Sequence, residues 1–158
     1  MTESDREFLF ELNRDTMRDL VEAVWGWDDE FQARHFDERF EHHANWNIIQ
    51  TGDHDIGMLH VLDRPDDIFL VTIRIASEWQ RRGIGTSVIE SVLGRASATG
   101  KPVTLQVLRL NTGAISLYQR LGFGFTSETT THLRMSAEPE SAPLDEKGSY
   151  PAVQLDRP

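Results

Sequence analysis

The sequence predicts a single α/β domain built on a mixed β-sheet, with its elements in the order β-α-α-β-β-β-α-β-α-β-β. Three observations predict it. The chain has 158 residues, about one domain's length. Residues 68–75, IFLVTIRI, are almost continuously apolar and β-branched, as a central strand covered on both faces requires. Around that spine, stretches with helical spacing alternate with short strand-like runs, and no internal repeat interrupts the series.

Taken in order, the opening REFLFEL alternates enough to read as a short strand, after which Asn13 caps a helix carrying Met17, Leu20, Val21 and Val24. Gly26 ends or bends that helix. A second helix runs from about Asp28 to Phe40, with Asp28, Asp29 and Glu30 at the positive end of its dipole and Phe31, Phe36 and Phe40 as its apolar face. Trp46–Gln50 and Gly57–Leu62 read as strands joined through TGDHD into an antiparallel hairpin, and Arg64-Pro65-Asp66-Asp67 makes the turn into the central strand. Beyond the loop ASEWQRR, residues 84–98 place Val88, Ile89, Val92 and Leu93 on one helical stripe that ends near Gly100-Lys101-Pro102. Val103–Leu108 is a strand and Thr112–Leu121 a short helix. Strands around Gly122–Phe125 and Thr130–Met135 then close the domain as a hairpin. The domain thus spans residues 1–136. Residues 137–158, acidic, Pro-containing and without apolar periodicity, read as a mobile or surface-draped tail.

Composition excludes several kinds of chemistry. With no cysteine, the chain has no disulfide, thiolate metal site or acyl-cysteine intermediate. A net charge of −10 argues against binding a nucleic-acid backbone. No stretch approaches the ~20 apolar residues of a membrane span, and the N-terminus carries acids where a signal peptide carries bases, so no membrane partner and a cytoplasmic location are expected. The charge is unevenly spread. Residues 1–67 hold 18 acids against 6 bases, a net −12, whereas residues 68–135 hold 3 against 8, a net +5. That asymmetry suits an anionic ligand on the central segment and a cationic one on the N-terminal half.

The chemistry-bearing stretch follows the central strand. Gln80-Arg81-Arg82-Gly83-Ile84-Gly85-Thr86 leads into a helix; its glycines allow close backbone approach, its first-turn N–H groups and dipole suit phosphate, and its arginines add charge. It is neither a Walker loop nor a dinucleotide fingerprint, because no GxxxxGK[ST] is present and Val88 stands where a third glycine would be. Further on lies NTGAISLYQRLGF, with Asn111, Ala114, Leu117, Tyr118, Gly122 and Phe123.

The two motifs together, Q-x-x-G-x-G after a central strand and then N-x-x-A-x-x-L-Y-x-x-x-G-F, resemble those of the GCN5-related N-acetyltransferase (GNAT) family over roughly residues 7–135. VWGWDDEFQARHF also resembles a stretch found in a set of bacterial members. The resemblance implies a GNAT-like mixed sheet and acetyl-CoA as cosubstrate, without a metal. It implies that the loop from Gln80 to Thr86 holds the pyrophosphate, that the backbones of Ile73 and Ile75, on a strand splayed from its neighbour, hold the pantetheine arm, that Asn111 contacts the cofactor near that arm, and that Tyr118 sits beside the thioester sulfur. Leu117, Phe123 and Phe125 read as core.

Aminolysis of a thioester needs a neutral amine, a donor to the developing oxyanion and a group to receive the leaving thiolate. Tyr118 suits the third task. No carboxylate lies on the central strand, where many members of the family carry a glutamate, and Arg74 stands there instead. Base candidates elsewhere are Glu41, His42, His43 and His132, or a water relay; His42-His43 lacks a third ligand at metal-binding spacing. Trp25, Trp27 and Phe31, with Trp46 and the acids Asp28, Asp29 and Glu30, form a candidate cage for a cationic amine, each aromatic being alternatively a core residue. The expected activity is direct acetyl transfer to a primary amine, a small cationic one. The alternatives are a protein or peptide N-acetyltransferase and a non-catalytic acyl-CoA binding module. The oligomeric state is open between monomer and homodimer.

Overall fold

The computed structural model describes residues 2–42 and 46–140; residues 141–158 of the expected tail, Tyr150 and Val153 among them, lie outside it, as does His43. The chain begins with helix α1 (Glu3–Trp25) and not with a strand. The expectation for REFLFEL fails because a capping box starts the helix ahead of it: the Thr2 hydroxyl accepts from the Asp5 N–H at 3.2 Å and the Asp5 carboxylate accepts from the Thr2 N–H at 2.6 Å. Leu9, Leu12 and Val21 then form the buried stripe, and Asn13 lies in mid-helix. Over so few residues the alternation of Phe8, Leu9 and Phe10 fits either period. Gly26, at φ +80, ends the helix as expected, its N–H donating to the Glu22 carbonyl. Helix α2 (Asp29–His42) is capped by the Asp28 carboxylate, which accepts from the Phe31 N–H at 2.8 Å.

The remaining elements follow the expected order: β1 (Trp46–Thr51), β2 (His54–Asp63), β3 (Ile68–Ile75), α3 (Ile84–Thr99), β4 (Val103–Leu108), α4 (Thr112–Arg120), β5 (Gly124–Glu128) and β6 (His132–Ala137). They build one six-stranded mixed sheet in the order β1-β2-β3-β4-β6-β5. The sequence reading of a mixed α/β domain therefore holds, less its first strand. Along β2, Met58 packs with α1 and α2 (Leu9, Leu12, Phe36) while Leu59 and Val61 join the cluster of α3 and α4 (Ile89, Val92, Ala96, Tyr118). Neighbouring residues of a strand point to opposite faces, so each face of the sheet carries one helix pair. Among the described residues no helix is long and apolar enough to cross a membrane.

Two irregularities shape the site. First, β3 and β4, the one parallel pair among the described residues, are in register only from Ile68–Leu70 against Val103–Leu105 and then part. Second, the register of β2 on β3 jumps from Val61↔Leu70 to His60↔Thr72, leaving Val71 as an extra residue. Leu70 and Ile73 consequently both face α3, and Thr72 and Arg74, opposite His60 and Met58, turn toward α1 and α2. Gly57 allows β2 to close on this segment. A Cβ there would overlap the Arg74 carbonyl oxygen and crowd the Cδ1 atoms of Ile75 and Ile49. Gly57→Ala is expected to cost about 1–3 kcal/mol of stability, measured as a lower denaturation midpoint with unchanged slope.

Two expectations about the C-terminal hairpin change. Phe125 is 56% exposed and not core, because β5 is an edge strand that no layer covers among the described residues, whereas Phe123 is buried against Tyr118 with ring centroids 5.5 Å apart. Strand β6 continues two residues beyond the Met135 at which it was expected to end: buried Ala137 pairs with Val103.

Candidate active site

The loop from Gln80 to Thr86 connects a short 3-10 turn, Ser77–Trp79, to α3. The Gln80 side-chain amide donates to the Ile75 carbonyl at 2.8 Å and so ties the loop to the end of β3. Arg81 (φ +58) and Gly83 (φ +79) both take the left-handed conformation, reversing the chain so that Ile84 opens the helix. The N–H groups of Ile84, Gly85 and Thr86 have no acceptor inside the helix; the Ser87 N–H makes the first bond, 3.0 Å to the Gly83 carbonyl. Free donors at the positive end of a 16-residue helix make an anion site. The Arg82 guanidinium lies 4.8 Å over the Trp79 ring. A Cβ on Gly85 would meet Leu117 Cδ2 at 3.7 Å, so this first turn rests on α4, one residue from Tyr118.

Where β3 and β4 part, a cavity of about 950 Å³ opens between the sheet and α1 and α2. Val71 to Arg74 line it from one strand and Gln106 to Leu108 from the other. Ile73 is among them. Ile75 is not, being buried with its carbonyl engaged by Gln80. Asn111 caps α4, its Oδ1 accepting from the Ala114 N–H at 3.2 Å, and lines the same cavity. Tyr118 is only 8% exposed yet borders it. Burial pushes its hydroxyl up to about 12, with the positive charge of Arg74 partly opposing the rise.

Of the aromatic candidates, Trp25 (59% exposed) and Phe31 (53% exposed) line the cavity mouth together with Asp28. Phe31 was expected on the core face of α2; it stacks on His35 instead, the rings 5.7 Å apart. Trp27 does not line the cavity. Its indole N–H donates to Asp29 at 2.8 Å and Arg18 lies 5.8 Å over its ring, a surface cluster formed where α1 gives way to α2. Trp46 belongs to the core of α1 and α2 and borders the cavity as well. Among the base candidates Glu41 is exposed, and nothing is described of the His42 side chain. His132 borders the cavity, its Nδ1 2.9 Å from the Thr131 hydroxyl and its ring 6.0 Å from that of Trp25.

The charge around the cavity differs from the one expected of an acidic N-terminal half. Among the described residues Asp28 is the sole carboxylate lining it, against Arg34, Arg39 and Arg74. The acids of α1 and α2 instead sit outward, several in ion pairs with Arg6 and Arg14. Arg39, His35 and Gln32 were not singled out from the sequence. Their signal was their own spacing: Gln32, His35 and Arg39 fall three and four residues apart on α2, which marks one helix face. Among the described residues no group of three or more His, Asp or Glu is placed to hold a metal ion.

The comparisons agree with this arrangement. The sequence pattern of the acetyltransferase (GNAT) family matches residues 6–123. In structure the chain is similar to the PaiA N-acetyltransferase of Thermoplasma acidophilum in complex with coenzyme A, with a TM-score of 0.69 and 16% identity, covering 87% of this chain and 95% of that one. It is similar to an acetyltransferase from Thermus thermophilus (TM-score 0.67, 20% identity, 87% and 93% covered). It is similar also to the ribosomal-protein-S18-alanine N-acetyltransferase of Escherichia coli (TM-score 0.62, 18% identity, 92% and 94% covered). At these identities the likeness is one of fold, and no curated protein matches the sequence. With three quarters of its length inside the family's pattern, the chain belongs to the GNAT family of acetyl-CoA-dependent acetyltransferases.

Proposed function

We propose that the protein transfers acetyl directly from acetyl-CoA to the primary amine of a small molecule bound between the sheet and the first two helices. The observation that carries this reading is that Tyr118 borders the cavity where β3 and β4 part, while the start of α3, with its unpaired N–H groups, rests at Gly85 on Leu117, the residue before Tyr118. These residues fit the cosubstrate. Past Leu70 and Leu105 the facing strand edges no longer pair with each other, which suits an amide-rich arm, and the loop at Gly83 suits phosphates. When bound, acetyl-CoA supplies an acetyl group already activated as a thioester. The chain's own part is to orient it and to manage protons.

Tyr118 acts on the leaving sulfur by donating a hydrogen bond. With the hydroxyl at about 12 and a thiol near 8.5, full proton transfer would be uphill by roughly 5 kcal/mol. The same burial keeps Tyr118 protonated, and therefore a donor, through the whole working range of pH. His132, in the cavity wall, is the candidate to take a proton from the amine. The test is release of free CoA from acetyl-CoA over a panel of small amines, with an N-terminal peptide panel beside it. Turnover of small amines with the peptides inert is the expected result; turnover of peptides alone would move the acceptor to a polypeptide chain.

A further inference from the structure

Arg39 and Arg74 are two cations that line the cavity and whose charge burial disfavours. Arg6, Arg14, Arg64, Lys101 and Arg109 each pair with a carboxylate. Arg39 on α2 and Arg74 on β3 line the cavity from facing elements, and among the described residues neither has a carboxylate or hydrogen-bond partner. Arg74 Nε is fully enclosed and unpaired. The two charges feel each other: burial first, then the positive charge of Arg39, brings Arg74 down to about 10, and burial lowers Arg39 as well. Enclosing like charges together without a counter-ion is costly, and the Val71 bulge is what turns Arg74 to this face.

We infer that the acceptor amine carries an oxyanion of its own, a carboxylate or phosphate, held between the guanidinium groups of Arg39 and Arg74. This rests on the acetyltransferase reading above and names its substrate class. Guanidinium groups present paired N–H donors in a plane that matches either oxyanion, and the pair supplies two such forks to one ligand. Arg74 and Tyr118 line the same cavity, so an anion seated on Arg74 leaves the amine in the cavity that Tyr118 borders. Among the described residues a cationic amine would meet Arg34, Arg39 and Arg74 against Asp28 alone, and Asp28 already caps α2.

The test compares kcat/KM for O-phosphoethanolamine and β-alanine with that for ethanolamine and putrescine, at fixed ionic strength. The anionic amines should be favoured at least tenfold. Arg39→Gln and Arg74→Gln should each raise their KM tenfold or more and narrow the preference for them over ethanolamine; Arg74→Lys should recover part of the loss. Equal or better turnover of putrescine overturns the anionic acceptor and leaves acetyl transfer standing. A second arm needs no turnover. With the protein saturated by CoA, so that the site at α3 is filled, inorganic phosphate replacing chloride should raise Tm for the parent and not for Arg39→Gln. A shift of equal size in both, or none in either, overturns the site, whereas failure of every amine to release CoA counts against the acetyltransferase reading alone.

Discussion

Tyr118→Phe is expected to lower kcat by about two orders of magnitude while leaving KM for acetyl-CoA nearly unchanged, because the hydroxyl acts on sulfur as charge develops there and not on the bound ground state. The ring itself is held by Phe123 and the α3–α4 cluster, so removing one oxygen leaves the packing in place. Two pH measurements sharpen the assignment. With the hydroxyl raised to about 12, the rate profile of the parent should show no limb from Tyr118 below about pH 11. The stability profile should show one. A tyrosine raised in the folded state loses its proton first in the unfolded chain, near its ordinary value of 10, so the stabilisation is present below pH 10 and is lost as pH climbs toward 12. The loss amounts to about 3 kcal/mol, and Tyr118→Phe should abolish it. A variant turning over as fast as the parent, with the chemical step limiting, removes Tyr118 from the mechanism.

Gly83→Val is expected to weaken CoA binding by at least tenfold, measured by calorimetry. At φ +79 and ψ 0 the residue sits where a β-branched side chain is strained by its own backbone, although the space around it is open. Relief of that strain rotates the loop, and the N–H groups of Ile84, Gly85 and Thr86 lose their common aim. Sequence reasoning treats Gly83 and Gly85 alike. The structure separates them, since Gly85 has no positive φ and an added methyl there makes an ordinary 3.7 Å contact with Leu117. Gly85→Ala should therefore bind CoA within a few-fold of the parent. Equal loss in both variants would show that ligand contact at Gly85, and not backbone conformation at Gly83, sets the affinity.

The sheet was legible where one periodicity governed a long run. β3 falls at Ile68–Ile75 as read, and α3 is displaced by a single residue at its end. The opening segment was misread because the decisive interaction, the exchange between Thr2 and Asp5, lies outside the alternation that suggested a strand. The position of Arg74 was legible, but the face it occupies was not. Within IFLVTIRI an extra residue leaves no mark, since an uninterrupted apolar run has no alternation for a bulge to break. Arg39 stayed hidden for a related reason: a charge on an amphipathic helix reads as solvated until the neighbouring strand shows that its side lines a cavity. The charge sums misled similarly, because they count side chains along the chain and not around the cavity.

The three-residue register between β3 and β4 also bears on how the protein breathes. Backbone pairing holds the two halves of the sheet together only at Ile68–Leu70 and Val103–Leu105, and on the α3 side Ile89, Val92 and Ala96 pack across that same join. The join therefore resembles a hinge pinned at one end by α3, with its free end at the cavity. Amides of Val71–Ile75 and Gln106–Leu108 that face the gap have no partner strand there to slow their exchange with deuterium. An amide-rich cosubstrate lying in the gap bridges the two halves as a missing strand would, so ligand protection should spread along both strands from the open end and leave the pinned end unchanged.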